Sequence, residues 1–139
     1  MEYRHFADTY VVRLERGEEV MDRLSALCRQ EHITLASVQA IGAVDHAVMG
    51  VYDVETKVYH RVELNEPLEI TALLGNVTLK DDEVYLHLHV TLGNEEGKAF
   101  GGHVNELRIS ATCEMFVRTL PGAVGRRHDD VTGLNLFDF

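Results

Sequence analysis

With 139 residues, 45% of them hydrophobic and 26% charged, the chain has the length and composition of one globular domain able to bury its own core without a staple. Its formal net charge of −10 argues against a duplex-binding surface, because phosphate backbones are bound chiefly by Lys and Arg that displace counterions. Only two prolines and no low-complexity stretch occur, which excludes a largely disordered chain.

In chain order, Tyr10, Val12 and Leu14 alternate with Val11, Arg13 and Glu15, predicting a strand that ends near Arg16-Gly17. A helix is expected from Glu18 to Glu31. Val20, Leu24, Leu27 and Cys28 there fall at i, i+4, i+7 and i+8, and Glu18, Glu19 and Asp22 sit early, where they favour the positive end of the helix. Beyond His32 the pattern turns to strands, Ile33 to Val44 and then His46 to Val54, with Gly42 as a bulge or bend. Asp53 to Lys57 reads as a hairpin connection into Val58 to Leu64, and Asn65-Glu66-Pro67 breaks the chain. Leu68, Ile70, Ala72 and Leu74 alternate on a strand ending at Gly75-Asn76, and Lys80 to Glu83 forms a polar turn. Val84 to Leu92 and Lys98 to His103 follow as strands about the loop 93–97, and Leu107 to Val117 shows a clear period of two. Pro121-Gly122 ends that strand, and the tail 121–139 is expected to dock Leu134, Leu136 and Phe137 onto a core of about 10–120. The whole of 1–139 thus reads as a single α+β domain, a central antiparallel β-sheet flanked by helix. One helix covers only part of one sheet face, so oligomerisation is expected to bury the rest.

The chemistry concentrates in Tyr85-Leu86-His87-Leu88-His89-Val90, where strand alternation sends His87 and His89 to one face. A five-residue loop at 93–97 pairs His87 with His103, whereas a three-residue loop at 95–97 pairs His89 with His103. Both registers keep the three histidines on one face, because a slip of two preserves side-chain parity. Three imidazoles with a vacant fourth position match an open zinc site, so His87, His89 and His103 are the candidate ligands for a divalent metal. The alternative is that they merely cover the sheet. Gly101-Gly102 would let the backbone bend towards such a site, and Glu106 and Glu114 are the available acidic partners.

Other features carry less. His5, His32, His46, His60 and His128 have no comparable spacing, and Cys28 and Cys113 read as small buried hydrophobes. No serine lies in a nucleophile elbow and no glycine loop cradles phosphate, so the sequence assigns no reaction. Arg126, Arg127 and His128 form the nearest basic cluster, but it runs into Asp129-Asp130, which cancels its field at short range. The first residues lack a signal-peptide core and no run of about 18 apolar residues occurs, so a membrane partner is not expected and the cytoplasm is the default compartment.

The string Leu86-His87-Leu88-His89-Val90 with Gly101-Gly102-His103-Val104 resembles the H-L-H and G-G-H-L pattern of the prokaryotic branch of the PPC (plants and prokaryotes conserved) family. Arg13 to Glu18, Ala40 to Ala43, Gly50-Val51-Tyr52, Glu66 to Ile70 and Gly75-Asn76 occur in the expected order, so the resemblance spans about Tyr10 to Leu120. It implies a central antiparallel sheet flanked by helix and a homotrimer assembled through sheet edges and faces. In plants such domains accompany AT-hooks, the hook touching DNA and the domain mediating assembly with partners. The plant segment G-R-F-E-I-L is matched here by Glu66-Pro67-Leu68-Glu69-Ile70-Thr71, without its Gly-Arg pair. Prokaryotic relatives carry the label of predicted DNA-binding proteins, which rests on analogy. The leading expectation is therefore a homotrimer with a metal or small-ligand site at the three histidines near a subunit junction. The alternative is a DNA-associated regulatory module acting through partners.

Overall fold

The computed structural model describes residues 1–139. Its elements are β1 (Glu2–Phe6), β2 (Thr9–Glu15), α1 (Val20–Gln30), β3 (Ala36–Asp53), β4 (Val58–Leu64), β5 (Leu68–Lys80), β6 (Glu83–Gly93), β7 (Ala99–Thr119), β8 (Gly125–Asp129) and β9 (Leu134–Asp138). The first seven strands make one antiparallel sheet in the order β1-β2-β7-β6-β5-β3-β4, and β8 and β9 form a separate hairpin. No helix is long and apolar enough to cross a membrane.

An additional pairing of β7 with β3 changes the character of the sheet. On one side β7 runs along β3; on the other its start meets β6 and its end meets β2. Strands β3, β5, β6 and β7 thereby close into a barrel-like ring, with β2–β1 and β4 as extensions. Closure lets the sheet bury its inner residues against one another, among them Leu73, Val77, Leu88, Leu92, Leu107 and Ile109. It supplies much of the burial that a single helix could not, so the incomplete cover expected from the sequence is reduced to the outer face.

Helix α1 adds its apolar stripe, Val20, Leu24, Leu27 and Cys28, to this same core. Its start is fixed by Glu19, whose carboxylate accepts from Asp22 N at 2.7 Å and from Leu107 N at 2.9 Å, so one side chain caps the helix and ties it to β7. At the other end the Glu31 carboxylate accepts from the hydroxyls of Tyr3 and Tyr10 at 2.6 and 3.2 Å.

Several strands are longer than the sequence pattern predicts. The stretches 33–44 and 46–54 are one strand beginning at Ala36, with a register shift at Gly42, where an added Cβ would lie 2.4 Å from Thr112 O. Gly75-Asn76 does not end β5. Gly75 is instead a close approach, since a Cβ there would meet His87 O at 2.0 Å. The stretches 98–103 and 107–117 are likewise a single 21-residue strand, bent by register shifts against β3. Strand β1 and the β8–β9 hairpin were not foreseen.

Candidate functional site

In β6, Leu88 and Val90 point into the core, which sends His87 and His89 outward. The register that brings His103 to them is set by a three-residue loop: Asn94 N donates to Lys98 O at 3.0 Å and Gly97 N donates to Asn94 O at 3.0 Å. Asn94 Oδ1 accepts from Glu96 N and Lys98 N at 3.1 and 2.9 Å, and Gly97 supplies the positive φ of 75° that the turn needs. Of the two registers open to the sequence, this is the one that pairs His89 with His103. Asn76 of β5 lies opposite His87.

The three imidazoles converge. Ring centroids are 5.2 Å apart for His87–His89 and His87–His103 and 5.6 Å for His89–His103. One nitrogen from each ring lies within 4.8 Å of the other two. Tetrahedral ligands at zinc distances stand roughly 3.3 Å from each other, so small side-chain rotations would bring these nitrogens onto one ion. His87 is pushed down to about 4, first by burial and then by the charges of His103, Arg126 and His89; burial, followed by His89, also lowers His103. Both rings are therefore neutral at ordinary pH, the form that ligates a metal. With an ion bound, such a site supplies a Lewis acid with an open position.

Gly102 acts differently from the expectation of a backbone bend. It has no positive φ; a Cβ on it would lie 2.7 Å from Gly50 O and 3.2 Å from Gly50 N. Its role is to let β7 lie against β3 at the position just before His103. The acidic candidates also fall elsewhere. Glu106 pairs with His46 at 3.3 Å, and Glu114 lies on β7 opposite Arg13 and Ile41, outside the histidine pocket.

That pocket has a volume of about 760 Å³ and no Asp or Glu in its lining. Tyr59 of β4 forms one edge, its hydroxyl donating to Asn105 Oδ1 at 2.5 Å and lying 3.3 Å from His103 O. Burial raises the Tyr59 phenol, against the opposing effects of Asn105 and Arg61. The β8–β9 hairpin supplies a further wall, with Leu134, Leu136 and Phe137, the residues expected to dock. Its anchor is Arg126. The guanidinium donates to Thr78 Oγ1, Asn76 Oδ1 and Asn135 O, each at 2.8 Å, and lies 4.6 Å from the ring centroids of both Tyr85 and Phe137. Sequence reasoning dismissed Arg126 with its neighbours. Strand alternation puts Arg127 on the other face of β8, where it pairs with Asp138 at 3.3 Å; His128, two residues beyond Arg126, lies 3.6 Å from Asp130, while Arg126 turns to the pocket. The available signal was the apolar alternation of 134–137, which marks a hairpin partner for 125–129.

Fold and pocket together define a small antiparallel β-barrel protein that carries a cluster of three histidines on the outside of its barrel. A model of the Plants and Prokaryotes Conserved (PCC) domain matches residues 1–121, and the chain belongs to this family. It is similar to the crystal structure of a metal-containing protein from Archaeoglobus fulgidus, at 39% identity and TM-score 0.90, with 99% of this chain and 97% of that one covered. It is also similar to a crystal structure from Bacteroides thetaiotaomicron described as a candidate DNA-binding protein, at 29% identity and TM-score 0.97, covering 99% and 96%. Among curated proteins it matches the bifunctional protein GlmU of a Synechococcus strain, 32% identical over 127 residues. That match takes in 89% of this chain but only 19% of GlmU, so the chain spans about a fifth of the curated relatives it matches.

Proposed function

We propose that His87, His89 and His103 hold a divalent metal ion, zinc or a metal of similar preference, within a pocket for a small molecule. The observation that carries this reading is the convergence of three ring nitrogens within 4.8 Å in a pocket lined without carboxylates. An all-imidazole donor set suits zinc better than magnesium or calcium, which prefer oxygen. The Archaeoglobus relative's description as metal-containing adds support.

The reading includes assembly. Ile41, Leu74 and Phe116 are 58%, 58% and 45% exposed on neighbouring strands of the outer face, with Val11 opposite Phe116. Such an apolar patch favours contact with further copies of the chain, and a homotrimer of single domains, residues 1–139 each, is the assembly proposed. A second reading, association with DNA through partners, is favoured by the description of the Bacteroides relative.

The test of the metal site is metal content of untagged protein, purified without a nickel column, by mass spectrometry. About one zinc or similar ion per chain is expected, lost in His87→Ala and His103→Ala. Metal-free wild type after zinc supplementation, or variants that keep full occupancy, would refute the site.

A further inference from the structure

Arg126 is the feature of this pocket that a metal site alone leaves unexplained. It is half-buried, and none of the ion pairs of the chain involves it, although the protein is rich in carboxylates. Its three hydrogen bonds go to neutral oxygens and use one proton each from Nε, Nη1 and Nη2. A guanidinium carries five N–H groups, so one remains on each terminal nitrogen. Two aromatic rings at 4.6 Å fix its plane, and its charge is felt at His87. A positioned cation of this kind, partly withdrawn from water without an anion, is incomplete.

From this we infer that Arg126 is a carboxylate-recognition residue and that the pocket takes a small, partly apolar organic acid. Arg126 receives its carboxylate, while the remainder of the molecule extends towards the three histidines. The two free N–H groups match the two oxygens of a carboxylate in number, and a single negative charge balances a single guanidinium. About 760 Å³ is a small-molecule volume, and half of the sixteen lining residues are hydrophobic, which favours a ligand with an apolar body. Arg126 lies beyond the residues matched by the family model, so the acid-binding wall is contributed by the terminal hairpin. The inference extends the metal reading but its core, charge recognition at Arg126, does not depend on an ion being present.

The experiment compares isobutyrate with isobutyramide, which share an apolar skeleton and differ in charge, by calorimetric titration of zinc-loaded and EDTA-stripped protein. Isobutyrate should bind at least tenfold more tightly than the amide in both forms. Arg126→Gln should abolish that preference with unchanged metal content, and Arg126→Lys should retain part of it; circular dichroism checks that both fold. Equal binding of acid and amide, no binding of either, or a preference that survives in Arg126→Gln would overturn the proposal. Tighter binding of inorganic phosphate than of isobutyrate would overturn the carboxylate assignment. Absence of zinc from the loaded sample would count against the metal site only, since the stripped arm still reads Arg126.

Discussion

Gly102→Ala separates the architecture of the site from its chemistry. A Cβ at this position would stand 2.7 Å from Gly50 O and 3.2 Å from Gly50 C and N, all of them backbone atoms of β3 that cannot swing aside. Strand β7 must therefore lift off β3 just where His103 pairs with Gly50 on one side and His89 on the other. Overpacking of this type costs about 1–3 kcal/mol. At roughly 2.1 cal/mol/K of unfolding entropy per residue, this length loses about 3–4 °C of melting temperature per kcal/mol, so a fall of about 3–10 °C is expected. Gly101→Ala is the control, because its Cβ would meet only Val90 O at 3.1 Å and Thr91 Oγ1 at 3.7 Å. Thermal unfolding of metal-free protein at one fixed concentration measures the cost, and zinc titration measures the damage to the triad. Weakened zinc binding is expected in Gly102→Ala well beyond any change in Gly101→Ala. A Gly102→Ala protein that melts with wild type and binds zinc equally would refute the argument that this close approach sets the position of His103.

Two further outcomes follow from the same geometry. His87 is depressed in the folded state, to about 4, from the ordinary 6.5, so below 6.5 the unfolded chain binds the extra proton first. The stability of stripped protein should therefore be fully present above pH 6.5 and fall progressively towards pH 4; melting temperatures from pH 7.5 to 5 should drop less steeply in His87→Gln, and equal slopes would contradict the burial argument. If the proposed homotrimer forms through the outer apolar patch, Leu74→Asp combined with Phe116→Asp should convert it to monomer in light scattering while leaving the far-ultraviolet spectrum intact; a wild type that already runs as a monomer would remove the assembly.

The parts of this molecule that sequence reasoning reaches are those governed by parity. Alternation at Leu86 to Val90 puts His87 and His89 opposite the core, and a shift by two cannot undo it, so the shared face of the three histidines was legible before the register was. The choice between registers depended on Asn94 Oδ1 accepting from Glu96 N and Lys98 N, a side-chain contact that periodicity does not carry. Glycine misled in a consistent way. Gly75 and Gly102 read as a terminus and a bend, yet both lie inside continuous strands where a neighbouring strand comes too close for a Cβ. Such contacts are long-range and leave no local trace. Barrel closure was hidden for the same reason, since β7 pairs with β2 and β3 across separations that no window spans.

Arg126 sharpens the question of what an acidic member of this family binds. The net charge of −10 is only an average, and the arrangement of the cations says more. Eight of the thirteen Lys and Arg residues already face carboxylates of the same chain, among them Arg13 with Glu2, Arg108 with Asp45 and Arg118 with Asp8. A phosphate backbone would have to compete with those partners along an extended surface, and the counterion release that drives such binding would be largely forfeited. Arg126 has no carboxylate partner, but it is recessed between Tyr85 and Phe137 and faces a pocket lined by the three histidines. A duplex cannot follow it there, whereas a small acid can. Surface carboxylates farther off are screened over about 8 Å at physiological salt, so the overall acidity does not prevent one recessed guanidinium from selecting an anion. The charge pattern that disfavours direct DNA contact is thus compatible with recognition of a small acid in the histidine pocket.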